Sequence, residues 1–169
     1  MPEQTTLERA ERDKREGKSP STQAGEFVRE EMEHIRHGKH GARSTKQAIA
    51  IGMSKARRAG VKLPPPKKGR AKESTRKSAE RAYHEGQAHT RKKTSPRIYR
   101  IRGEVLKREP RTAASHAALS KQAKQAARKR GKASLRAAAR KAVRTKGPRE
   151  LKAEARKAAR TRQRNRKAA

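Results

Sequence analysis

Apolar side chains recur at helical spacing mainly between residues 24 and 63. Val28, Met32 and Ile35 follow an i, i+4, i+7 pattern, and Phe27 lies beside them. Residues at this spacing share one face of an α-helix. The pattern therefore predicts a first amphipathic helix in this part of the chain.

A second amphipathic helix is predicted to begin at a capping box. Ser44–Gln47 reads S-T-K-Q, in which the serine and glutamine side chains can each bond a free backbone N–H of the first turn. Ile49, Met53 and Ala56 then share one face. Gly60 is typical of a residue that ends a helix.

These two helices predict a small αα-hairpin over about residues 24–60, within a segment that extends to residue 63. The six-residue link Gly38–Arg43 joins them. Three consecutive prolines in Leu63–Pro66 prevent further helix, because proline lacks the backbone N–H donor. A unit this short is marginally stable alone. We expect self-association or a partner to stabilise it.

The rest of the chain predicts three further segments. Residues 1–23 form a polar mobile leader, residues 64–110 a linker rich in proline and basic residues, and residues 111–169 a tail of Ala, Lys and Arg. The Ser-Pro pairs at residues 19–20 and 95–96 are expected to interrupt helix.

The tail contains an internal repeat with a period of 16 residues. Leu119, Leu135 and Leu151 each begin a copy, with Ala at +4 and +7, a base at +5 and Arg at +9, and Gly131 and Gly147 recur at the same period. Each copy predicts a short helix. Short isolated helices are marginal in water, so we expect the tail to be largely unfolded when free and helical once phosphates neutralise it.

Charge indicates the class of partner. The chain carries 50 Lys and Arg against 16 Asp and Glu, a net charge of +34, and from residue 34 onward 44 bases accompany only seven acids. Such a self-repelling polymer requires a polyanion, and nucleic acid is the abundant one. Leu, Ile, Val and Phe total only 16 of 169 residues. The predicted fold class is therefore mostly α and largely disordered.

Several classes of function are excluded or disfavoured. The chain has no cysteine, which removes disulfides, zinc fingers and thiol chemistry. No apolar run reaches 18 residues and no secretory signal is visible, so we expect no membrane partner and a cytoplasmic location, with the protein on the bacterial nucleoid if it binds DNA. No nucleophile–base set or phosphate loop is present, so we expect no enzyme activity, cofactor or small-molecule substrate. Aromatics are limited to Phe27, Tyr83 and Tyr99, which favours duplex DNA over single-strand or RNA readers that stack bases.

The residues predicted to contact phosphates are bases in three groups, on the second helix, after the prolines and in the repeats. They are Lys46, Lys55, Arg57 and Arg58; Lys67, Lys68 and Arg70; and Lys124, Arg128, Lys129, Arg130, Arg136, Arg140, Lys141, Arg144, Arg156, Lys157, Arg160 and Arg162. Neutralising phosphates releases counterions and needs no base contact.

Three histidines at a spacing of three form H-x-x-H-x-x-H. His34, His37 and His40 would share a helix face if the helix continued through them. However, His40 lies beyond the predicted helix end at Gly38, and no cysteine or well-placed carboxylate completes a ligand set. We therefore expect no metal site.

Three segments carry a resemblance to known proteins. FVREEMEHIRHG followed by STKQAIAIGMSKARRAG, together with AASHAALSKQAKQAARKR in the tail, resembles a family of small, highly basic, functionally uncharacterised bacterial proteins. The KQAIAIG segment is the most specific part. The resemblance implies a bacterial source and no established activity. The tail is also similar in composition to histone-like proteins.

Three functions remain open from the sequence. The favoured hypothesis is a non-enzymatic, histone-like, nucleoid-associated protein that binds DNA largely independently of sequence. The second is an RNA- or ribosome-associated basic protein. The third is a hairpin that recruits a partner protein while the tail anchors it to nucleic acid.

Overall fold

The computed structural model describes residues 2–88 and 95–167, and these residues contain no β-strand. Residues 89–94 of the predicted linker and the last two residues of the predicted tail lie outside the described residues. The helices are α1 (Gln4–Arg15), α2 (Pro20–Arg36), α3 (Thr45–Arg58), α4 (Glu73–Gln87), α5 (Pro96–Arg108), a 3₁₀ turn (Arg111–Ala114) and α6 (His116–Lys167). The mostly helical class is confirmed. The expectation of a largely disordered chain is not supported.

The predicted leader is helical and packed. Thr6, Ala10 and Asp13 form one buried face of α1 at i, i+4, i+7, and this helix packs against α2. Ser19 accepts a hydrogen bond from the Thr22 N–H at 3.4 Å, and Pro20 occupies the first helical position of α2. The Ser-Pro pair therefore begins a helix, because proline's missing N–H is not needed in the first turn.

Helices α2 and α3 form the central pair of the fold. The serine half of the predicted capping box is present, since Ser44 Oγ accepts from the Gln47 N–H at 3.2 Å. Gln47 Oε1 accepts from the N–H of Arg43, one residue before the cap, at 2.8 Å. The pair meets through small residues of α3. Ala48 and Gly52 are buried, whereas Ile49 is only half-buried, so the apolar face is rotated toward the small residues.

The apolar surfaces of this pair are covered from two sides within the chain. Phe27 packs with Ala10 of α1 in one cluster. Ile35 packs with Ala113 and Ala114 in the other. Nine of the 13 buried hydrophobic residues are alanine. Close packing of alanine-rich helices therefore supplies a core that the number of large aliphatic residues underestimates.

The segment after the predicted linker is held to the hairpin by hydrogen bonds. Thr45 Oγ1 donates to the Ala113 carbonyl at 2.6 Å, and Arg36 Nε donates to the Ala114 carbonyl at 3.1 Å. Leu119 packs against the same cluster. The chain divides into two compact units, residues 1–122 and residues 123–169. The first contains α2 and α3 and is called the hairpin unit below. The first part of the predicted tail therefore belongs to the hairpin unit.

Helices α4 and α5 occupy the predicted linker. Helix α4 packs against α3, and Gln87 Nε2 donates to the Gly60 carbonyl at 3.1 Å. Ser95 caps α5 by accepting from the Ile98 N–H at 3.3 Å, with Pro96 at the first helical position. This second Ser-Pro pair also begins a helix, and α5 has no buried residue.

Helix α6 is interrupted at two glycines. Gly131 and Gly147 adopt φ of 74° and 73°, which are left-handed values that glycine accommodates without steric cost. Three helical stretches result, in register with the 16-residue repeat. No residue between 123 and 166 is buried. Across the described residues, no helix is long and apolar enough to cross a membrane.

Candidate functional site

The second and third repeat copies present their bases in rows. Arg136, Arg140 and Arg144 follow an i, i+4, i+8 spacing on the second stretch of α6, and all three are exposed. At 1.5 Å per residue, such a row spans about 12 Å along the helix. Lys141 lies beside it, and the apolar Leu135 lies on the opposite side by helical periodicity. The stretch is therefore a narrow cationic face.

The third copy repeats this arrangement. Lys152, Arg156 and Arg160 occupy the equivalent row, and Lys157 lies beside it. In the described part of α6, one ion pair is present, between Lys146 and Glu154. Every predicted tail base is exposed, namely Lys124, Arg128, Lys129, Arg130, Arg136, Arg140, Lys141, Arg144, Arg156, Lys157, Arg160 and Arg162. Their charges are available to an external polyanion.

The first copy differs from the other two. Its row contains Ser120 where the later copies have a base, followed by Lys124 and Arg128. Leu119 packs against the cluster that contains Ile35, Ala113 and Ala114, whereas Leu135 is 40% exposed. The copies are therefore not equivalent, because the first one also closes the folded unit.

The bases that follow the prolines are exposed at a turn. Lys67, Lys68 and Arg70 all face solvent, and the Arg70 N–H donates to the Lys67 carbonyl at 3.0 Å. Gly69 permits this turn with φ of 81°. These three residues add a small cationic cluster to the hairpin unit.

The four predicted bases of α3 divide into two pairs. Lys46 is exposed, and Arg58 is exposed while it donates to Ser54 Oγ at 2.8 Å. Arg57 is buried and donates to the carbonyls of Leu63 and Pro64 at 3.1 and 3.2 Å. Burial lowers the pKa of Arg57.

Lys55, the fourth base, is used inside the fold. Its Nζ lies 3.2 Å from Glu30 Oε1 and 2.7 Å from Glu31 Oε2, and both glutamates are 1% exposed. Arg57 and Lys55 therefore hold structural positions, and neither is free to contact phosphate. Sequence reasoning assigned them by charge alone, which does not report the partners that a fold supplies.

The ion pairs set the protonation of this buried group. Burial raises the pKa of Glu30, but hydrogen bonds from the Glu3 amide and Thr6 and the charge of Lys55 outweigh it and leave the pKa below its ordinary value. Burial lowers the pKa of Lys55, but the hydrogen bond and charge of Glu31, with Glu30, bring it above its ordinary value. Both side chains are charged at neutral pH.

Glu3 of the predicted leader joins this group from the start of the chain. Its Oε1 lies 2.7 Å from Lys39 Nζ and 2.8 Å from His34 Nε2. Hydrogen bonds from Lys39 and His34 lower the pKa of Glu3 to about 2. Its backbone N–H also donates to Glu30 Oε2 at 3.1 Å, so the polar cluster joins the chain start to α2.

Two of the three histidines meet a carboxylate. A Schellman turn ends α2, in which the Lys39 N–H donates to the His34 carbonyl at 2.9 Å, and it reverses the chain. His40 returns beside His34, with ring centroids 6.0 Å apart, and its Nε2 lies 3.0 Å from Glu31 Oε1. His37 is exposed and does not belong to this group.

One premise of the expectation about the histidines is wrong. No well-placed carboxylate was expected, yet one donor atom each from Glu31, His34 and His40 lies within 4.8 Å of the others. The Glu-x-x-His spacing of Glu31 and His34 is a signal that the sequence carried. The return of His40 depends on the turn, which the histidine spacing alone does not reveal.

Comparison with known proteins finds one described family that the hairpin region resembles. Residues 14–68 match the model of a family of unknown function (DUF6496). The match contains α2, α3 and their link, and it ends before the repeats. It agrees with the resemblance to an uncharacterised family. No curated protein and no solved structure is detectably similar to the chain.

Proposed function

We propose that this chain is a non-enzymatic, histone-like protein that binds duplex DNA largely independently of sequence. The observation that supports this most directly is the pair of exposed basic rows, one of Arg136, Arg140 and Arg144 and one of Lys152, Arg156 and Arg160. Residues 123–169 contain only two acids, Glu150 and Glu154, and Glu154 pairs with Lys146. Each row lies along one helical stretch and can follow a phosphate backbone. In a bacterial cell, such binding corresponds to a nucleoid location.

The binding energy would come mainly from counterion release. Each phosphate that a base neutralises frees condensed cations, so log affinity falls with log salt by about 0.9 for each contact on duplex DNA. Exposed Lys and Arg pay little desolvation before they meet a phosphate. Two rows with their neighbouring lysines provide on the order of eight contacts, which is typical of a protein that binds duplex without base readout.

Low sequence preference follows from the kind of contact. Phosphate contacts position a protein on the duplex and carry no direct base information. The predicted tail bases are all exposed and lie on stretches that no packing orients. Base readout requires side chains held in a fixed orientation in the major groove. The tail therefore suits many sequences with similar affinity.

The hairpin unit would then act as a folded platform for the tail. Its apolar surfaces are covered by α1 and by residues 113–114, so the hairpin needs no second copy to bury them. The exposed Lys46 and the cationic cluster of Lys67, Lys68 and Arg70 add basic surface to this platform.

Competition binding tests this function. A labelled 30-base-pair DNA duplex bound to the full chain at about 150 mM salt is displaced by unlabelled duplex DNA of another sequence, duplex RNA and single strands. We expect both DNA duplexes to compete within a few-fold of each other and single strands to compete more weakly. Preferential displacement by RNA would support the RNA-associated alternative and contradict the proposal.

A further inference from the structure

We propose that Glu31, His34 and His40 form a binding site for one divalent transition-metal ion of the zinc class. One donor atom from each side chain lies within 4.8 Å of the other two. Glu31 is buried, and both histidines are half-buried. This site lies in the hairpin unit and does not depend on the proposed binding of nucleic acid.

The donor atoms are close to the spacing that a metal requires. Zinc bonds of 2.0–2.2 Å in tetrahedral geometry place two ligand atoms about 3.3 Å apart. His40 Nε2 and Glu31 Oε1 are already 3.0 Å apart. The remaining donor pairs lie within 4.8 Å, so each separation must shorten by about 1.5 Å at most to reach this spacing.

Neighbouring groups orient the ligands. Lys55 holds Glu31 Oε2 at 2.7 Å, which leaves Oε1 directed toward His40. Partners of this kind fix ligand orientation in known metal sites. Glu3 Oε1 lies 2.8 Å from His34 Nε2. When His34 binds the metal through this nitrogen, Glu3 is released beside the ion and can supply a fourth oxygen or accept from a bound water.

The local charge admits a dication. The carboxylates of Glu3, Glu30 and Glu31 face two ammonium groups, Lys39 and Lys55. With neutral imidazoles, the group carries one net negative charge before the metal binds. Two imidazoles and one carboxylate favour zinc or cobalt over magnesium and calcium, which prefer oxygen ligands alone.

Metal titration of the full chain, freed of nucleic acid, tests the site. Calorimetry with Zn²⁺ should give one equivalent of saturable binding, and Co²⁺ should give the visible absorption of a tetrahedral complex. His34→Gln and His40→Gln should each weaken binding by more than about 10-fold, the smallest loss typical of removing even an outer-shell partner. His37→Gln is the matched control, because His37 belongs to the same H-x-x-H-x-x-H run but is exposed, and it should change affinity less than two-fold.

Absence of saturable binding overturns the site. An equal loss in His37→Gln does so too, because it would indicate general surface binding. If the two site variants fail to fold by circular dichroism, X-ray absorption of the zinc-loaded unmodified chain decides. Two imidazoles with oxygen donors around the zinc would support the site, and fewer than two imidazoles would contradict it.

Discussion

Gly52 of α3 lies directly against the backbone of Val28 of α2. A Cβ added to Gly52 would lie 2.7 Å from Val28 Cα and 2.9 Å from its amide nitrogen. The two helices therefore cross at a distance that only glycine allows. Ala48 and Ala56 of α3, one turn before and after Gly52, are fully buried.

Gly52→Ala should destabilise the hairpin unit by about 1–3 kcal/mol, because the helices must separate to admit the methyl group. Gly25→Ala is the matched control in α2, where an added Cβ meets nothing within 4 Å. It should stabilise the chain by up to about 1 kcal/mol through higher helix propensity. Urea unfolding followed by circular dichroism measures both, and equal effects would contradict the close crossing.

Lys55→Met should lower the free energy of unfolding by about 3 kcal/mol, because it leaves Glu30 and Glu31 buried without their cation. Lys46→Met on the same helix removes an exposed ammonium and should change stability by less than about 0.5 kcal/mol. Chemical unfolding of the two variants under identical salt makes the comparison. Similar small losses from both would show that the ion pairs contribute little to stability.

Leu119→Ala should destabilise the hairpin unit by about 1–2 kcal/mol, because the side chain packs against the cluster around Ile35. Leu135→Ala should be nearly neutral, because that leucine is 40% exposed. Thermal unfolding distinguishes them. Equal melting temperatures would indicate that the first repeat copy does not close the folded unit.

Amide hydrogen exchange should separate the two units. Helices without a buried face open at low free energy, so amides in residues 123–167 should exchange faster than those of α2 and α3. Duplex DNA should slow exchange in residues 123–167 selectively, since phosphates neutralise repulsion between bases. Uniform protection along the whole chain, with or without DNA, would be inconsistent with this division.

The helices of the hairpin were predictable because their signals are local. The capping box at Ser44–Gln47 and the glycine stop at Gly60 depend on residues only a few positions apart. The Ser-Pro pairs were misread because proline both ends and begins helices. At Ser19–Pro20, the Ser19 hydroxyl caps the first turn of α2, so this pair begins a helix.

The polar cluster was not predictable because it depends on distant residues. Glu3 approaches His34 across 31 positions, and Lys55 reaches Glu30 across 25. A charge count also assigned Lys55 and Arg57 to an external partner, although the fold supplies partners for both. The exposure of the tail bases, by contrast, could be predicted from the helical repeat, because in the described part of the tail no packed neighbour buries these side chains.

The salt dependence of duplex DNA affinity tests the central claim most directly. We compare the full chain with Arg136→Gln, Arg140→Gln, Arg144→Gln in one triple variant, and with a matched triple variant of three exposed bases on α5, Arg97→Gln, Arg100→Gln, Arg102→Gln. The tail variant should lower the magnitude of the log–log slope by about 2 to 3, at about 0.9 per lost phosphate contact. The α5 variant should change it by less than about one. A slope near zero for the full chain, or equal changes in both variants, would contradict binding through the tail rows.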